Sequence, residues 1–396
     1  MTNELSQNPP LRTGYTTGAC AAAAAKGAAL MLIHQMTLSK VTIDLPKGDS
    51  ATFSLSGQLV SPDQASCFII KDAGDDPDIT NGAEIHAAVS RIPDADPDGK
   101  HGIIIEGGRG IGRVTKPGLA VPPGQWAINP VPRQMIETSV GGALSTFNLQ
   151  HTTFRVVISI PDGEERAKKT LNARLGIIGG LSILGTTGIV RPISAKAWTD
   201  TLDAALDVAK ACGCETVVLS TGRTSEVAAQ NHLNRKPEGA QNTTTLFEPS
   251  PQHAPCPVSG NTLNLPEEAY IMMGDHIAYA LRACKLRGFS TPIIACQFAK
   301  LLKIACGHEN THAAASELDL KQLLSWGQEG GLPESTLGTI SGANTAREIV
   351  IASSFDPVLL QLVFQHARTG MQVHAPEIYP HFLVADYSGN CIFDSR

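Results

Sequence analysis

The feature that most constrains the fold is a change in the order of predicted elements near residue 195. Upstream of it, short β-like runs dominate, at 41–45, 51–55, 67–70, 102–106 and 153–160, with helices predicted at 19–31 and 133–144. Downstream, helices alternate with short apolar strands, which is typical of a parallel sheet with crossover helices. The sequence therefore predicts a mixed α+β and α/β protein with two domains, an α+β domain at 1–195 and a Rossmann-like α/β domain at 196–396.

The predicted elements of the second domain carry its candidate ligand loops at their ends. They are helices at 195–211, 224–231, 266–287 and 313–324, and strands at 216–220 and 292–296. The stretch 237–264 is rich in Pro, Asn, Thr and Ser and predicts an irregular excursion, and residues 1–10 predict a loose polar tail. A chain of 396 residues is also too long for one ordinary core, which agrees with two domains.

Composition and charge exclude several classes of protein. The formal net charge of −6 argues against general nucleic-acid binding, which requires a basic surface. The longest apolar stretch, 19–33, is shorter than the ~20 residues that span a bilayer and lacks a signal-peptide cleavage pattern. We therefore expect a cytoplasmic protein that binds neither membrane nor nucleic acid.

The cysteines indicate a reducing compartment. Nine are present, an odd number, and most lie inside apolar runs. The one close pair, Cys212 and Cys214, lacks the C-x-x-C spacing of zinc knuckles and redox motifs. We expect reduced core cysteines and no bound metal.

A glycine-rich segment at 107–113 is a candidate anion-binding loop. It matches neither the dinucleotide-binding nor the P-loop spacing, because Pro117 and Gly118 prevent a helix from starting after it. Basic residues are concentrated on and after this loop, namely Arg109, Arg113, Lys116 and Arg133. Such a loop suits a ligand with several carboxylates. The alternative is a solvated turn between strands.

Three further loops lie beside predicted helix starts or strand ends. Thr16 or Thr17 is an available N-cap for the helix at 19–31, which predicts free backbone N–H groups beside the first loop. A second Thr-Thr-Gly triplet, at 186–188, follows a glycine-containing apolar run. The third loop, 220–226, lies where a buried strand meets a helix, so its helix N-terminus could bind a carboxylate and Glu226 could accept ribose hydroxyls. A capping turn with Thr221 or Thr224 as N-cap is the alternative.

Residues 308–312 match the H-E-x-x-H signature of zinc proteases. That motif depends on two histidines four apart on one helix face. Here Gly307 precedes the motif, Asn310 and Thr311 are typical N-cap residues, and the predicted helix begins at 313. His308 and His312 therefore straddle a helix start, and we expect them to line a pocket by polar contact instead of binding zinc.

Taken together, these blocks resemble the cobalt-precorrin-5B C(1)-methyltransferase family of anaerobic cobalamin biosynthesis. The blocks that carry the resemblance lie, in order, at 11–20, 80–85, 110–119, 127–133, 176–192, 220–226, 274–276, 300–303, 307–308 and 310–312. They cover residues 11 to about 315. The family pattern requires no glutamate between Gly-His and Asn-Thr-His, so Glu309 is interpreted as incidental to it. One departure is Phe298-Ala299 before Lys300, where the family tends to have a small residue and glycine.

The resemblance implies methyl transfer from S-adenosylmethionine to ring carbon C-1 of cobalt-precorrin-5B, giving cobalt-precorrin-6A. Cobalt would arrive only within the substrate, and no nucleophile or resident metal is required, since in-line transfer depends on positioning. The implied donor-binding residues are Gly185, Thr186, Thr187, Gly188, Thr221, Gly222 and Glu226. The implied substrate-binding residues are Thr16, Thr17, Arg109, Arg113, Lys116, Arg133, Arg191, Lys300 and Lys303. Asp275, His308 and His312 are the candidate catalytic groups.

Two other functions remain as alternatives at this stage. A non-catalytic corrinoid carrier or chaperone would need the carboxylate-binding loops but no donor site. A zinc hydrolase would use His308 and His312. The expected ligand in the preferred interpretation is a small-molecule tetrapyrrole, with a homodimer and transient contact with neighbouring pathway enzymes left open.

Overall fold

A computed structural model describes residues 11–92, 102–147, 152–192, 194–234 and 262–396. The predicted tail at 1–10 and most of the predicted excursion at 237–264 lie outside these ranges. The chain divides into two compact units, Met1–Ala195 and Lys196–Arg396. Helices and strands are mixed in both units, and both contain parallel strand pairs.

Unit 1 consists mostly of short strands. They are β1 Gly14–Tyr15, β2 Lys40–Asp44, β3 Ser50–Ser54, β4 Ser56–Val60, β5 Gln64–Ile70, β6 Glu84–Ile92, β7 Ile103–Gly107, β8 Arg113–Val114, β9 Thr153–Ser159, β10 Ile177–Ile178 and β11 Ile189–Val190. Its helices are α1 Thr17–His34, α2 Pro130–Thr146 and α3 Gly163–Ala167. The strands β4 and β6 have no counterpart in the prediction from sequence.

The main sheet of unit 1 has the order β4-β5-β6-β9-β7 and packs against α1. β7 runs parallel to β9, and the other neighbours are antiparallel. Side chains alternate along β5 and β6, so that one face of each strand is buried. The small side chains of the Ala-rich helix α1 are buried on nearly every side, and this helix forms the centre of the core.

One described helix, α1, has the length and apolar composition to cross a membrane. Of that 18-residue window, 78% is buried inside the structure. A buried core helix passes the same test of length and composition, and α1 is such a helix.

In unit 2, helices flank each of the two predicted strands, and five consecutive helices precede the last two strands. Its strands are β12 Val218–Ser220, β13 Tyr270–Met272, β14 Ile293–Gln297, β15 His381–Ala385 and β16 Cys391–Asp394. Its helices are α4 Ala195–Ala211, α5 Arg223–Leu233, α6 Ile277–Arg287, α7 Phe298–Ala305, α8 Leu320–Glu329, α9 Glu334–Gly342, α10 Ala346–Ala352 and α11 Pro357–His374, with a 3₁₀ turn at Glu267–Ala269.

The sheet of unit 2 has the order β13-β12-β14-β15-β16. The first four strands are parallel, and β16 is antiparallel to β15. The chain leaves β12 to form β13 on one side and then returns to form β14 on the other side. Such a reversal of strand order opens a crevice at the carboxyl ends of the two strands, where open α/β sheets bind ligands.

Two predictions from sequence and one alternative interpretation are wrong in unit 2. The helix expected at 266–287 is a 3₁₀ turn, the buried strand β13 and then α6, because Gly274 has a φ of +61° and separates strand from helix. The helix expected at 313–324 begins instead at Leu320, where the Asp319 side chain accepts a hydrogen bond from the Gln322 amide. The N-cap of α5 is Gly222, not Thr221 or Thr224.

Candidate functional site

The two Thr-Thr-Gly loops of unit 1 pack against each other. β1 pairs with β11, and this brings Thr16 and Thr17 beside 184–188. The Thr17 hydroxyl is 3.2 Å from the Leu184 carbonyl and 3.0 Å from its amide. The Gly18 amide donates to the Leu184 carbonyl at 3.0 Å, and the Ala19 amide donates to the Thr16 hydroxyl at 3.1 Å. The expectation of free N–H groups at this helix start is therefore wrong for Gly18 and Ala19.

The glycines of the second loop make this close packing possible. A Cβ on Gly185 would lie 2.4 Å from the Thr16 Cβ, and the φ of Gly185 is +124°. A Cβ on Gly188 would lie 2.7 Å from Leu45 Cδ2. Thr186 and Arg191 are exposed, whereas Thr187 is half-buried and its hydroxyl donates to the Ile189 carbonyl at 3.0 Å. These glycines accommodate the protein's own chain.

The glycine-rich segment 107–113 shows the same kind of contact. A Cβ on Gly110 would lie 1.9 Å from the Ile160 carbonyl oxygen, and one on Gly107 would lie 2.6 Å from the Trp126 ring. Ile111 is buried. The glycines therefore serve backbone packing at this point, and Gly107 and Gly110 are not open to an anion.

The basic residues of this region differ in what they contact. Arg109 is exposed. Arg113 lies 4.0 Å over the Trp126 ring and donates to the Gly124 carbonyl at 2.7 Å. Lys116 donates to the Arg174 carbonyl at 3.2 Å, and Arg133 to that of Ile105 at 3.4 Å. The loop therefore offers exposed guanidinium groups at Arg109 and Arg113, with the second held by an aromatic ring.

In unit 2, the carboxyl end of β12 leads to an uncapped helix start. Among the described residues, no side chain caps α5 at Gly222, and no atom lies within 4 Å of a Cβ built on that glycine. Ser220 is fully buried. Its hydroxyl has no hydrogen-bond partner among the described residues. α7, which follows the neighbouring strand β14, also lacks a side-chain cap at Gln297. Both helix starts border the crevice.

Glu226 is fully buried beneath this helix start. Its carboxylate accepts a hydrogen bond of 2.6 Å from Arg223, whose side chain is 69% exposed. A carboxylate without solvent contact cannot reach a ribose hydroxyl in this conformation. The expected direct contact is therefore replaced by an indirect arrangement, in which Glu226 holds an exposed guanidinium at the crevice.

Four residues are in contact beyond the carboxyl end of β13. They are Asp275, Lys300, Lys303 and Thr311, and together they are called the charged cluster. The Asp275 carboxylate forms an ion pair with the Lys300 ammonium. The Thr311 hydroxyl donates to the same carboxylate at 2.7 Å. The Thr311 carbonyl accepts from Lys300 at 2.9 Å and from Lys303 at 3.1 Å. Two lysines predicted to bind substrate and one predicted catalytic aspartate are thus in contact.

The environment of the cluster changes the acidity of two of its members. Burial acts to raise the pKa of Asp275, but hydrogen bonds from Lys300 and Thr311 outweigh it and hold the pKa below its usual value. Burial, followed by repulsion from Lys300, lowers the pKa of Lys303. Asp275 is therefore ionised at neutral pH, and with both ammonium groups protonated the cluster has an excess of one positive charge.

The loop 307–312 contains both candidate histidines outside any helix. The His312 amide donates to the Asn310 side chain at 2.8 Å, and its Nδ1 accepts from the Ala314 amide at 3.2 Å. His308 is half-buried. In the part of the chain that the structure describes, no group of three or more His, Cys, Asp or Glu side chains could hold a metal ion. His374 binds the Gly307 carbonyl at 2.6 Å and approaches Glu309 at 3.3 Å, so Glu309 does have a partner.

Sequence reasoning missed three residues at this sheet edge. Thr311 lies within a block that carries the family resemblance, and Arg223 lies inside the loop 220–226, so both were within reach of the motifs. Trp198 had no such signal. Its indole nitrogen donates to the Met273 carbonyl at 3.0 Å, and its side chain lies against Gly274.

A cavity of about 430 Å³ lies at the other end of the same sheet. It is lined by Gln230, Asn231, Asn234, Leu265, Glu267 and Tyr270. None of these side chains is a cation, so the lining does not suit a ligand with several carboxylates. The crevice edge, with Arg223, Lys300 and Lys303, has the required charge.

Comparisons with known proteins agree with this chemistry. Residues 4–192 match the CbiD family model. A protein of Pelobacter propionicus named cobalt-precorrin-5B C(1)-methyltransferase is 58% identical over 97% of this chain and 96% of its own length. Proteins of the same name from Geobacter metallireducens and Priestia megaterium are 54% and 43% identical, and the matches cover 98% and 83% of those proteins.

A solved structure of a cobalamin biosynthesis protein (cbiD) from Archaeoglobus fulgidus is 27% identical, with a TM-score of 0.36. The match covers 74% of this chain and 78% of that one. The family assignment depends on the sequence relatives, which span nearly the whole chain at high identity. The resemblance drawn from sequence motifs is confirmed by them. This chain belongs to the CbiD family, whose members include proteins named cobalt-precorrin-5B C(1)-methyltransferase.

Proposed function

We propose that this chain methylates ring carbon C-1 of cobalt-precorrin-5B, with S-adenosylmethionine as methyl donor, to give cobalt-precorrin-6A in cobalamin biosynthesis. The observation that carries this proposal is 58% identity to a cobalt-precorrin-5B C(1)-methyltransferase over 96% of that protein's length. The donor supplies an activated methyl group on a sulfonium, and cobalt belongs to the substrate.

The donor is proposed to bind at the crevice of unit 2, with Thr221 and Gly222 at the helix start and Arg223 held by Glu226. The uncapped α5 terminus, the open space over Gly222 and the buried Ser220 hydroxyl without a partner all suit a polar ligand. An arginine is also a good partner for the donor's carboxylate. In unit 1, the donor-binding role of Gly185, Thr186, Thr187 and Gly188 stays a prediction from sequence, and the space at Gly185 is taken by Thr16.

The ring carboxylates are proposed to bind to basic side chains. In unit 2 these are Lys300 and Lys303, whose cluster has excess positive charge. In unit 1 they are Arg109, Arg113, Lys116, Arg133 and Arg191, with Thr16 and Thr17 as polar contacts. The exposure of Arg109, Arg113 and Arg191 supports their part of the proposal, since an exposed guanidinium can form a bidentate pair with a carboxylate.

Asp275, His308 and His312 are proposed to act on the reacting ring. Methyl transfer moves one positive charge from the donor to the ring. Asp275 is proposed to act through its ion pair with Lys300, which it holds for the ring, and the two imidazoles are available to hold or accept a proton. Positioning of the two reactants contributes most of the remaining effect.

The finer architectural proposals follow from the strand order. We propose that unit 2 is a Rossmann-like domain, because its parallel strands reverse order between β12 and β14. The two compact units are proposed to be domains at 1–195 and 196–396. We also propose that the protein is cytoplasmic and assembles as a homodimer. It is proposed to make transient contact with neighbouring pathway enzymes.

The test is calorimetric titration with S-adenosylhomocysteine, followed by transfer of labelled methyl from S-adenosylmethionine to cobalt-precorrin-5B. Loss of a charge-assisted hydrogen bond predicts that Arg223→Ala weakens S-adenosylhomocysteine binding roughly 10-fold or more. Glu226→Gln should weaken it by releasing Arg223, and Glu334→Gln, at an exposed glutamate, is a control for loss of one carboxylate from the first turn of another helix. Corrinoid binding without donor binding or methyl transfer would instead support the carrier alternative.

A further inference from the structure

Thr311 joins three elements of unit 2 at one point. Its side chain is fully buried, although it belongs to the irregular loop 307–312. Its amide donates to the Asp275 carbonyl at 3.0 Å, and its hydroxyl donates to the Asp275 carboxylate at 2.7 Å. Its carbonyl accepts from Lys300 and Lys303 of α7. The amide, carbonyl and hydroxyl of Thr311 therefore all form hydrogen bonds with other members of the charged cluster.

These contacts offset the repulsion between the ammonium groups of Lys300 and Lys303. Two ammonium groups near each other repel, and a single carboxylate offsets only one of them. The shared Thr311 carbonyl gives both ammonium groups an acceptor, and the Thr311 hydroxyl holds the Asp275 carboxylate that pairs with Lys300. Lys300 and Asp275 stay partly exposed, at 28% and 24% of their side chains, so these two groups can still meet a ligand, whereas Lys303 is buried and supports them from within the cluster.

We propose that Thr311 is a positioning residue, which holds the Asp275 carboxylate and the two lysine ammonium groups in one geometry for the anionic macrocycle. This inference rests on the proposed function. Thr311 itself is buried and does not touch the substrate. Its hydroxyl contributes through Asp275, and its backbone contributes through both lysines.

The hydroxyl can be separated from the backbone by substitution. Thr311→Ser keeps the hydroxyl, Thr311→Val keeps the shape without it, and Thr311→Ala removes it without placing a methyl group against the carboxylate. Thr336 is the matched control, because it is also buried in unit 2 and its hydroxyl donates to a different aspartate, Asp356, at 3.2 Å. Thr336→Val loses the same kind of hydrogen bond away from the cluster.

The expected result is a selective loss of turnover. Because a misplacement of about 1 Å costs on the order of 100-fold, Thr311→Val and Thr311→Ala should lower kcat roughly 10- to 100-fold. Thr311→Ser should stay within about 3-fold of wild type. Binding of S-adenosylhomocysteine should be unchanged in all three, and Thr336→Val should keep wild-type kcat.

The pH profile provides a second readout that a purely structural role would not move. Among the described residues, the charged and titratable groups that act on Asp275 are Lys300 and Lys303 of α7 and His312 of the loop. Without the Thr311 hydroxyl, the Asp275 carboxylate loses a hydrogen bond that stabilises its charged form, so its pKa should rise. The acid limb of the kcat profile should therefore move to higher pH in Thr311→Val and Thr311→Ala but not in Thr311→Ser.

The outcomes separate this inference from the proposed function. A folded Val or Ala variant with wild-type kcat and an unmoved acid limb would overturn the positioning role, as would equal losses in Ser and Val. A wild-type protein that binds no S-adenosylhomocysteine and transfers no methyl group would refute the proposed function itself. If Thr311→Val does not fold, the comparison of Thr311→Ala with Thr311→Ser tests the positioning role.

Discussion

Gly185→Ala should destabilise unit 1 strongly, because three costs coincide at this position. The new Cβ would lie 2.4 Å from the Thr16 Cβ and 2.5 Å from its Oγ1. Thr16 is the N-cap of α1, and its hydroxyl accepts from the Ala19 amide. The φ of +124° at Gly185 also disfavours any residue with a Cβ.

The magnitude can be assembled from these parts. Overpacking costs about 1–3 kcal/mol, displacement of the cap costs about 1 kcal/mol, and the backbone strain adds about 1–2 kcal/mol. The sum is roughly 3–6 kcal/mol. For a unit of this size each kcal/mol lowers Tm by about 2–4 °C, so the shift should exceed roughly 6 °C.

The assay is thermal and chemical unfolding followed by circular dichroism, with Gly48→Ala as control. Gly48 has a φ of +92° and nothing within 4 Å of a built Cβ, so its substitution has only the backbone cost. Thr16→Gly should relieve the overlap, and a double-mutant cycle should give a coupling of about 1–3 kcal/mol. Equal destabilisation by Gly185→Ala and Gly48→Ala, with no coupling to Thr16, would refute the close-packing argument.

Three further predictions concern buried ionisable groups. Lys71→Met should cost about 3 kcal/mol, because it leaves the Asp78 carboxylate without its buried ammonium partner, and adding Asp78→Asn should recover part of the loss in urea unfolding. Burial opposes ionisation of Asp394, but hydrogen bonds from His232 and Arg396 outweigh it and lower the pKa. Its contribution is therefore present above the unfolded value near 3.9 and lost as pH falls below it, so Asp394→Asn should flatten the acid loss of stability between about pH 5 and pH 2. Burial raises the pKa of Cys20, Cys67, Cys284 and Cys296 to about 12, so at pH 8 native protein should be alkylated at the exposed Cys212 well before these four, as read by mass spectrometry.

The sequence predicted those elements whose apolar pattern is strong. α4 has the predicted bounds of 195–211, and β2, β3, β7 and β9 each lie within one or two residues of the predicted runs. The helix expected at 266–287 failed for a physical reason. The three residues of β13 are too short for a periodic signal, and tertiary burial between the sheet and its helices decides their conformation.

The candidate site was predictable to the level of residue type but not of contact. Asp275, Lys300 and Lys303 were all identified, whereas their common partner Thr311 was not, because a motif names residues without reporting which of them a buried side chain contacts. Glu226 was interpreted as an acceptor for ribose hydroxyls, since a sequence does not report that its carboxylate is buried and bound by Arg223. Burial of a single carboxylate is a tertiary property.

A glycine in a sequence indicates that something approaches its backbone closely, but not whether that neighbour is a ligand or the chain itself. At Gly110 and Gly185 the neighbours are Ile160 and Thr16, so those positions are already filled. At Gly222 nothing lies within 4 Å, and the helix start beside it has no side-chain cap among the described residues. A methyltransferase that acts on a polyanionic ring needs accessible backbone N–H groups for its donor. It also needs excess positive charge for its substrate. Because β12, β13 and β14 are adjacent and parallel, their carboxyl ends bring both properties to one edge of the sheet, with the α5 start after β12, the Asp275 carboxylate after β13 and the lysines of α7 after β14.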